Sequence, residues 1–262
     1  MLRALSTAAT GMNAQQMIVD TIANNLANMN TTGFKRTQVD FRDLMYLKLQ
    51  EAGRDTTASV MAPSGFEIGS GVSPGSTMKV YTQGTLQNTA GQLDMAIQGD
   101  GFFQVTTPDG IRYTRDGSFR TNAQGQLVTS TGYTMDPSIT IPTDARSVSI
   151  GTDGTVTAFE QANTTGTVVG TINIVRFANP SGLSDEGNNL EASTPASGPA
   201  IAGTAGQNGM GSIQQGFLEQ SNVDMITELV GLITAQRAYE TNSRAIQAGD
   251  EMLQSTNRLG AS

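Results

Sequence analysis

Apolar residues recur at every seventh position near both ends of this chain, and that repeat constrains the fold more than any other feature. Toward the N-terminus Leu5, Met12, Val19 and Leu26 form one row, with Ala8, Gln15, Ile22 and Met29 as its companion. Toward the C-terminus Met225, Leu232, Tyr239, Ile246 and Leu253 repeat with the same spacing, flanked by Leu229, Ala235 and Ala238. A seven-residue apolar repeat is the pattern of a helix whose seam faces another helix. The spacing predicts helices over 4–30 and 223–257, about 40 and 50 Å long. Ser221 or Asn222 stands where an N-cap belongs, with Asp224 near the positive helix end. Gly231 and Gly249 each cost the second helix about 1 kcal/mol relative to Ala, so it is expected to need a partner. Periodicity alone allows either a coiled coil of the two helices or two amphipathic helices lying on the rest of the chain.

The middle reads differently. Turn signals arrive at short intervals: Asp100-Gly101, Asp109-Gly110, Asp116-Gly117, Gln124-Gly125, Thr131-Gly132 and Asp153-Gly154. Short alternating segments such as "FFQVTT", "IRYTR" and "QLVTS" lie between them. Asp-Gly between alternating segments is a strong hairpin signal, so an antiparallel meander over a small core is expected. Residues 47–76 read as a loop or long exposed hairpin. Residues 178–212, rich in Gly, Ala, Ser, Asn and Pro without any period, read as a surface loop. The fold class is therefore α+β, with terminal helices around a central, mainly antiparallel β domain. The expected parts are 1–33 for the first helix, 34–76 for a joint and insertion, 77–216 for the β domain and 217–262 for the last helix.

The 262 residues contain no Cys, His or Trp. Zinc sites built on Cys or His, thiol nucleophiles and His-based triads are thereby excluded. A net charge of −8 argues against nucleic acid as the main partner. The Asp-Gly pairs lack the spacing of an EF-hand, and the glycine clusters match neither dinucleotide nor P-loop patterns, so all are read as turns. A carboxylate pair for glycoside hydrolysis remains the one enzymatic alternative, but Asp100, Asp109, Asp116 and Asp153 already belong to turn signals. No catalytic residue, cofactor or metal is expected. No signal peptide pattern stands at the N-terminus, and the longest apolar run, "LVGLI", is too short to span a bilayer.

One stretch needs its own explanation: "NNLANMNTTGFKR", residues 24–36. Asn30, Thr31 and Thr32 continue a helix poorly because their side chains compete for backbone hydrogen bonds. Gly33 suits the left-handed conformation that ends a helix, and Phe34 can anchor the departing chain. Thr32, Gly33 and Phe34 are thus the expected helix-end joint, with Lys35 and Arg36 complementing the negative helix end. Asn24, Asn25 and Asn28 exceed what a cap requires and are expected to face neighbouring helices or subunits.

At these residues the chain resembles the axial proteins of the bacterial flagellum, the rod and hook subunits. "ANNLANMNTTGFKR" looks like their N-terminal signature, and "SNVDMITELVGLITAQRAYETNSRAIQAGDEMLQSTNRL" is similar to their C-terminal block. "IQGDGFFQV" and "YTRDGSFRTNAQGQLVTSTGY" resemble their β domain. Length and the segment 46–65 fit a distal rod subunit, with a proximal rod or hook subunit as the alternative. The resemblance implies a helical homopolymer that carries torque. Its terminal helices pair as an inner coiled coil lining a channel, its β domains lie outside, and the 46–65 insertion runs along neighbouring subunits. Implied partners are further copies of the chain, proximal rod proteins, the hook protein, the surrounding P- and L-ring proteins and the flagellar type III export apparatus. Implied too is a location in the basal body, across periplasm and outer membrane, reached without a cleaved signal peptide. On this reading Leu5, Met12, Val19, Ile22, Asn25, Leu26, Asn28, Met29, Met225, Leu229, Leu232, Tyr239, Ile246 and Leu253 lie at contacts between subunits.

Overall fold

A computed structural model describes residues 2–51, 55–57, 60–61, 64–160 and 166–260. The chain divides into two compact units. The first gathers Met1–Leu26, Thr37–Met78 and Met225–Ser262, and the second Ala27–Arg36 and Lys79–Asp224.

In the first unit, helix α1 (Leu2–Ala27) and helix α2 (Met225–Gly260) run antiparallel. Their contacts pair early residues of one with late residues of the other, and glycines mark them. A Cβ on Gly249 would lie 2.8 Å from Leu5, one on Gly11 2.8 Å from Asn242, and one on Gly231 3.2 Å from Ile22. The face that α2 turns inward is therefore Glu228, Gly231, Ala235, Asn242 and Gly249 rather than the heptad row. Leu232, Ile246 and Leu253 are half-buried beside it, whereas Met225, Leu229 and Tyr239 are exposed. Small residues let two backbones approach, so the tight seam selects the small row and leaves the bulky one at its edge. α1 ends at Ala27, three residues short of the span that periodicity predicts.

The same unit contains a nested β ribbon. Thr37–Asp43 pairs with Val72–Lys79, Leu47–Gln50 pairs antiparallel with Phe66–Ile68, and Asp55–Thr57 pairs antiparallel with Val60–Met61. Within the expected loop-or-hairpin stretch 47–76, residues 52–54, 58–59 and 62–63 lie outside the described residues. Hydrogen bonds hold the ribbon to α1, among them those of Thr10 and Asn25. Thr10 Oγ1 accepts a hydrogen bond from Val72 N at 3.3 Å. Asn25 forms a two-way bridge with Thr37, its Nδ2 donating to Thr37 O and its Oδ1 accepting from Thr37 N, both at 2.9 Å.

The second unit is mainly antiparallel β. One sheet runs, in order, Arg120–Thr121, Leu127–Val128, Thr134–Met135, Phe102–Thr107, Gly110–Thr114, Leu190–Ala192 and Ser184–Gly187. Asn173–Arg176 joins it by pairing with both Phe102–Thr107 and Ile201–Thr204. A second sheet stacks Ala145–Ile150, Thr155–Glu160 and Thr167–Thr171. The core holds Phe103, Val105, Leu127, Ile139, Val156, Ile172 and Ile174, each at most 1% exposed.

Three expectations change here. Residues 178–212 are not loop throughout, because Ser184–Gly187, Leu190–Ala192 and Ile201–Thr204 are strands. Strands of three or four residues are too short to show a period, and the turn between the first two uses Asn188 and Asn189 at φ 53° and 59°, a conformation asparagine tolerates. Asp116-Gly117 closes no hairpin: a Cβ on Gly117 would overlap the Met95 carbonyl oxygen. Nor does Met95–Gln98 pair with the strand that follows Asp100-Gly101. It pairs instead with Ser212–Gln215, far away in sequence.

Candidate functional site

The joint expected at Thr32–Phe34 belongs to the second unit, and its surroundings form a clasp of three chain segments: 32–36, 80–84 and 217–222. The turn begins where Thr31 O accepts a hydrogen bond from Phe34 N at 3.3 Å, placing Gly33 third in the turn at φ +69°. Only a residue tolerant of positive φ suits that place. Space is as demanding as angle. A Cβ on Gly33 would lie 2.7 Å from the carbonyl carbon of Arg115 and from Asp116 N. Gly33 N donates to Glu219 O at 2.8 Å, and Thr32 Oγ1 donates to Asp116 Oδ1 at 2.8 Å. Asn189 Nδ2 reaches Thr32 O at 3.3 Å from the turn it shares with Asn188. Phe34 is half-buried.

Lys35 overturns its expected place on a helix end. Its side chain is 1% exposed, and Nζ donates to Glu219 Oε1 at 2.5 Å and to Thr82 O at 2.9 Å. Glu219 Oε1 also accepts from Gly84 N at 2.9 Å, while Oε2 receives a longer 3.5 Å bond from Arg115 Nη1. An ammonium taken out of water survives as a charge only when paired and hydrogen-bonded. Burial pushes the Lys35 ammonium below its ordinary pKa, and Glu219 opposes that shift. Asn222, expected as an alternative cap, is engaged here too. Its Nδ2 donates to Val80 O at 2.8 Å and Thr82 O at 3.0 Å, and its Oδ1 accepts from Arg36 N at 2.7 Å. The backbone closes the set, with Val80 N donating to Arg36 O at 2.9 Å. Sequence reading missed Lys35, Glu219 and Asn222 because their partners lie 47 to 186 residues away.

A second charged group adjoins the first. Lys79 Nζ donates to Glu191 Oε1 at 2.9 Å and to Asp185. Burial raises the Glu191 carboxyl above its ordinary pKa despite that lysine. Arg115 lies over the Phe102 ring, 5.3 Å from its centroid.

Among the expected subunit-contact residues, Asn25 is held within the chain. It is 1% exposed and makes its bonds within the chain, to Thr37 and, at 3.5 Å, to Glu228 Oε2. Ile22 is buried as well, and Leu5, Met12, Val19, Leu26, Asn28 and Met29 are half-buried. Four large exposed apolar residues of α2 lie outside the heptad row and its flanking positions: Ile226, Val230, Ile233 and Met252.

Relatives give this arrangement its context. Residues 5–35 match a model described as flagella basal body rod protein, 96–158 one described as flagellar hook protein FlgE/F/G D1 domain, and 214–259 one described as flagellar basal body rod FlgEFG protein C-terminal. The chain is 47% identical over 262 residues to the flagellar basal-body rod protein FlgG of Borreliella burgdorferi, covering 99% of each. It is 45% identical over 260 residues to that of Buchnera aphidicola subsp. Acyrthosiphon pisum, covering 99% of this chain and 100% of the relative. The chain belongs to the FlgG family of flagellar basal-body rod proteins. The N-terminal match ends at Lys35's own position and the C-terminal match begins before Glu219, so both halves of the buried ion pair lie inside matched segments. As a member of this family the chain is a structural rod subunit, and a wall hydrolase draws no support from any of these matches.

Proposed function

We propose that the chain is a distal rod subunit that polymerises into a straight, torque-bearing helical tube. The carrying observation is the outer face of α2, where Met225, Ile226, Leu229, Val230, Ile233 and Tyr239 are all more than a third exposed. A helix that leaves so continuous an apolar face open is suited to burial against other helices. In this reading α1 and α2 pair as a coiled coil in an inner layer, and copies pack through Met225, Leu229 and Tyr239. Each copy repeats one heterologous contact that does not close into a ring, so growth gives a filament. The ribbon around 46–65 exposes Met45, Tyr46, Leu49 and Phe66 and runs along neighbouring copies. Proximal rod, hook, P- and L-ring proteins meet the ends and flanks of the tube, and the subunit leaves the cell through the flagellar export apparatus.

Electron microscopy of the purified chain tests this. Straight tubular rods are expected from the native sequence, and none from a chain carrying Ile226→Gln, Val230→Gln and Ile233→Gln, whose monomer still folds. Rods formed equally well by that variant would reject the α2 face as the polymer contact.

A further inference from the structure

The second unit contains a cavity of about 380 Å³ that the rod reading does not use. Its floor is aromatic: Tyr81, Phe102 and Phe177 meet edge to face, with centroids 5.6 and 5.8 Å apart. Two guanidinium groups line it, Arg115 and Arg176, with Asp100 as the one carboxylate among the lining residues.

Both arginines are under-used. The Arg115 side chain is 5% exposed, its Nε has no hydrogen-bond partner, and Nη1 makes only the 3.5 Å bond to Glu219. Glu219 is held at its other oxygen by Lys35, so it neutralises two cations at once. Arg176 has no carboxylate within 4 Å among the described residues, Asp100 included. A buried guanidinium short of acceptors carries a desolvation cost that an incoming anion would relieve. An aromatic floor with a few converging polar groups, at this volume, is the make-up of a small-molecule pocket.

We propose that this cavity binds a carboxylate carried on an apolar or aromatic stem. The stem lies on Phe102 and Phe177, and the carboxylate accepts hydrogen bonds from the guanidinium groups of Arg176 and Arg115. The same chemistry could be supplied by a free small acid or by an acidic side chain flanked by apolar residues on a protein surface.

Arginine-detected NMR on the full, monomeric chain tests it, with 3-phenylpropionate as probe and 3-phenylpropanamide as its uncharged control. The acid should shift the Arg176 and Arg115 Nε–Hε signals saturably, and the amide should not. Arg176→Gln, a half-exposed site, should keep the native unfolding midpoint and weaken binding about tenfold or more, the scale of a lost charge-assisted hydrogen bond. A blocked Phe-Glu-Phe tripeptide, whose only carboxylate is its side chain, separates the sources. Competition by the tripeptide upholds the proposal with a protein side chain as ligand, and failure to compete upholds it with a free acid. No saturable shift at tens of millimolar acid, or equal shifts with acid and amide, overturns it.

Discussion

At Gly33 the angle and the space agree. The backbone stands at φ +69°, and any Cβ would press on the peptide between Arg115 and Asp116. Left-handed backbone costs a non-glycine residue about 1–2 kcal/mol, and contact with main chain cannot be relieved by a rotamer change. Gly33→Val should therefore lower stability by at least about 2 kcal/mol, read as a lower urea midpoint of the second unit's transition. An unchanged midpoint would mean that the joint does not seat against 115–116. Lys35 gives the electrostatic counterpart. Lys35→Met leaves buried Glu219 only the long Arg115 bond as a cationic contact and should cost about 3–5 kcal/mol, whereas Lys35→Met with Glu219→Gln should recover part of that loss. A double variant as unstable as the single one would assign the cost to packing rather than charge. Glu191 adds a pH dependence. Its folded-state pKa is raised by burial among Lys79, Tyr81, Asp185 and Arg115. A raised folded pKa gives stability that is full below the unfolded value of 4.5 and lost as pH rises through the folded value. The native chain should thus lose stability relative to Glu191→Gln as pH climbs from 4.5, and a difference independent of pH would contradict this.

Among the elements, α2 has two faces with separate work. Its inward face is built on Gly231, Ala235 and Gly249, and the two glycines give up helix propensity for close approach to α1. Gly249→Leu should force Leu5 away and cost about 1–3 kcal/mol by overpacking, seen as a lower helical melting temperature by circular dichroism. An unaffected melt would show that α1 and α2 do not meet there in solution. The outward face, with Ile226, Val230 and Ile233, stays more than half exposed among the described residues. Both helices carry the heptad signal because seven-residue spacing tracks two adjacent stripes on a helix, and only a partner's shape decides which stripe is inside.

On the scale of the whole molecule, the second unit is not the continuous stretch 77–216. It includes 27–36 from before the ribbon and reaches past Glu219 to 224. A fragment spanning 77–216 lacks Lys35, Glu219, Gly33 and Asn222 together. It should be markedly less stable than the second unit of the full chain and leave Arg115 without its Glu219 bond, as amide hydrogen exchange across 102–115 would report. Protection there equal to that of the full chain would show that the clasp is dispensable for the β fold. In a rod under torque, this cross-linking of distant segments would resist peeling of the chain from its own β unit.

The sequence by itself determined the local features: two long helices from a seven-residue period, several β-hairpins from glycine turns, the glycine conformation of the joint and the family signatures at 23–36 and 221–259. These are legible because each depends on residues within one or two turns of one another. The tertiary structure alone decided the inward face of α2, the internal use of Asn25, the burial of Lys35 against Glu219 and the strands hidden in 178–212. Burial and pairing depend on what lies across the fold, and a lysine next to an arginine after a helix looks the same in sequence whether it meets water or a carboxylate 184 residues away.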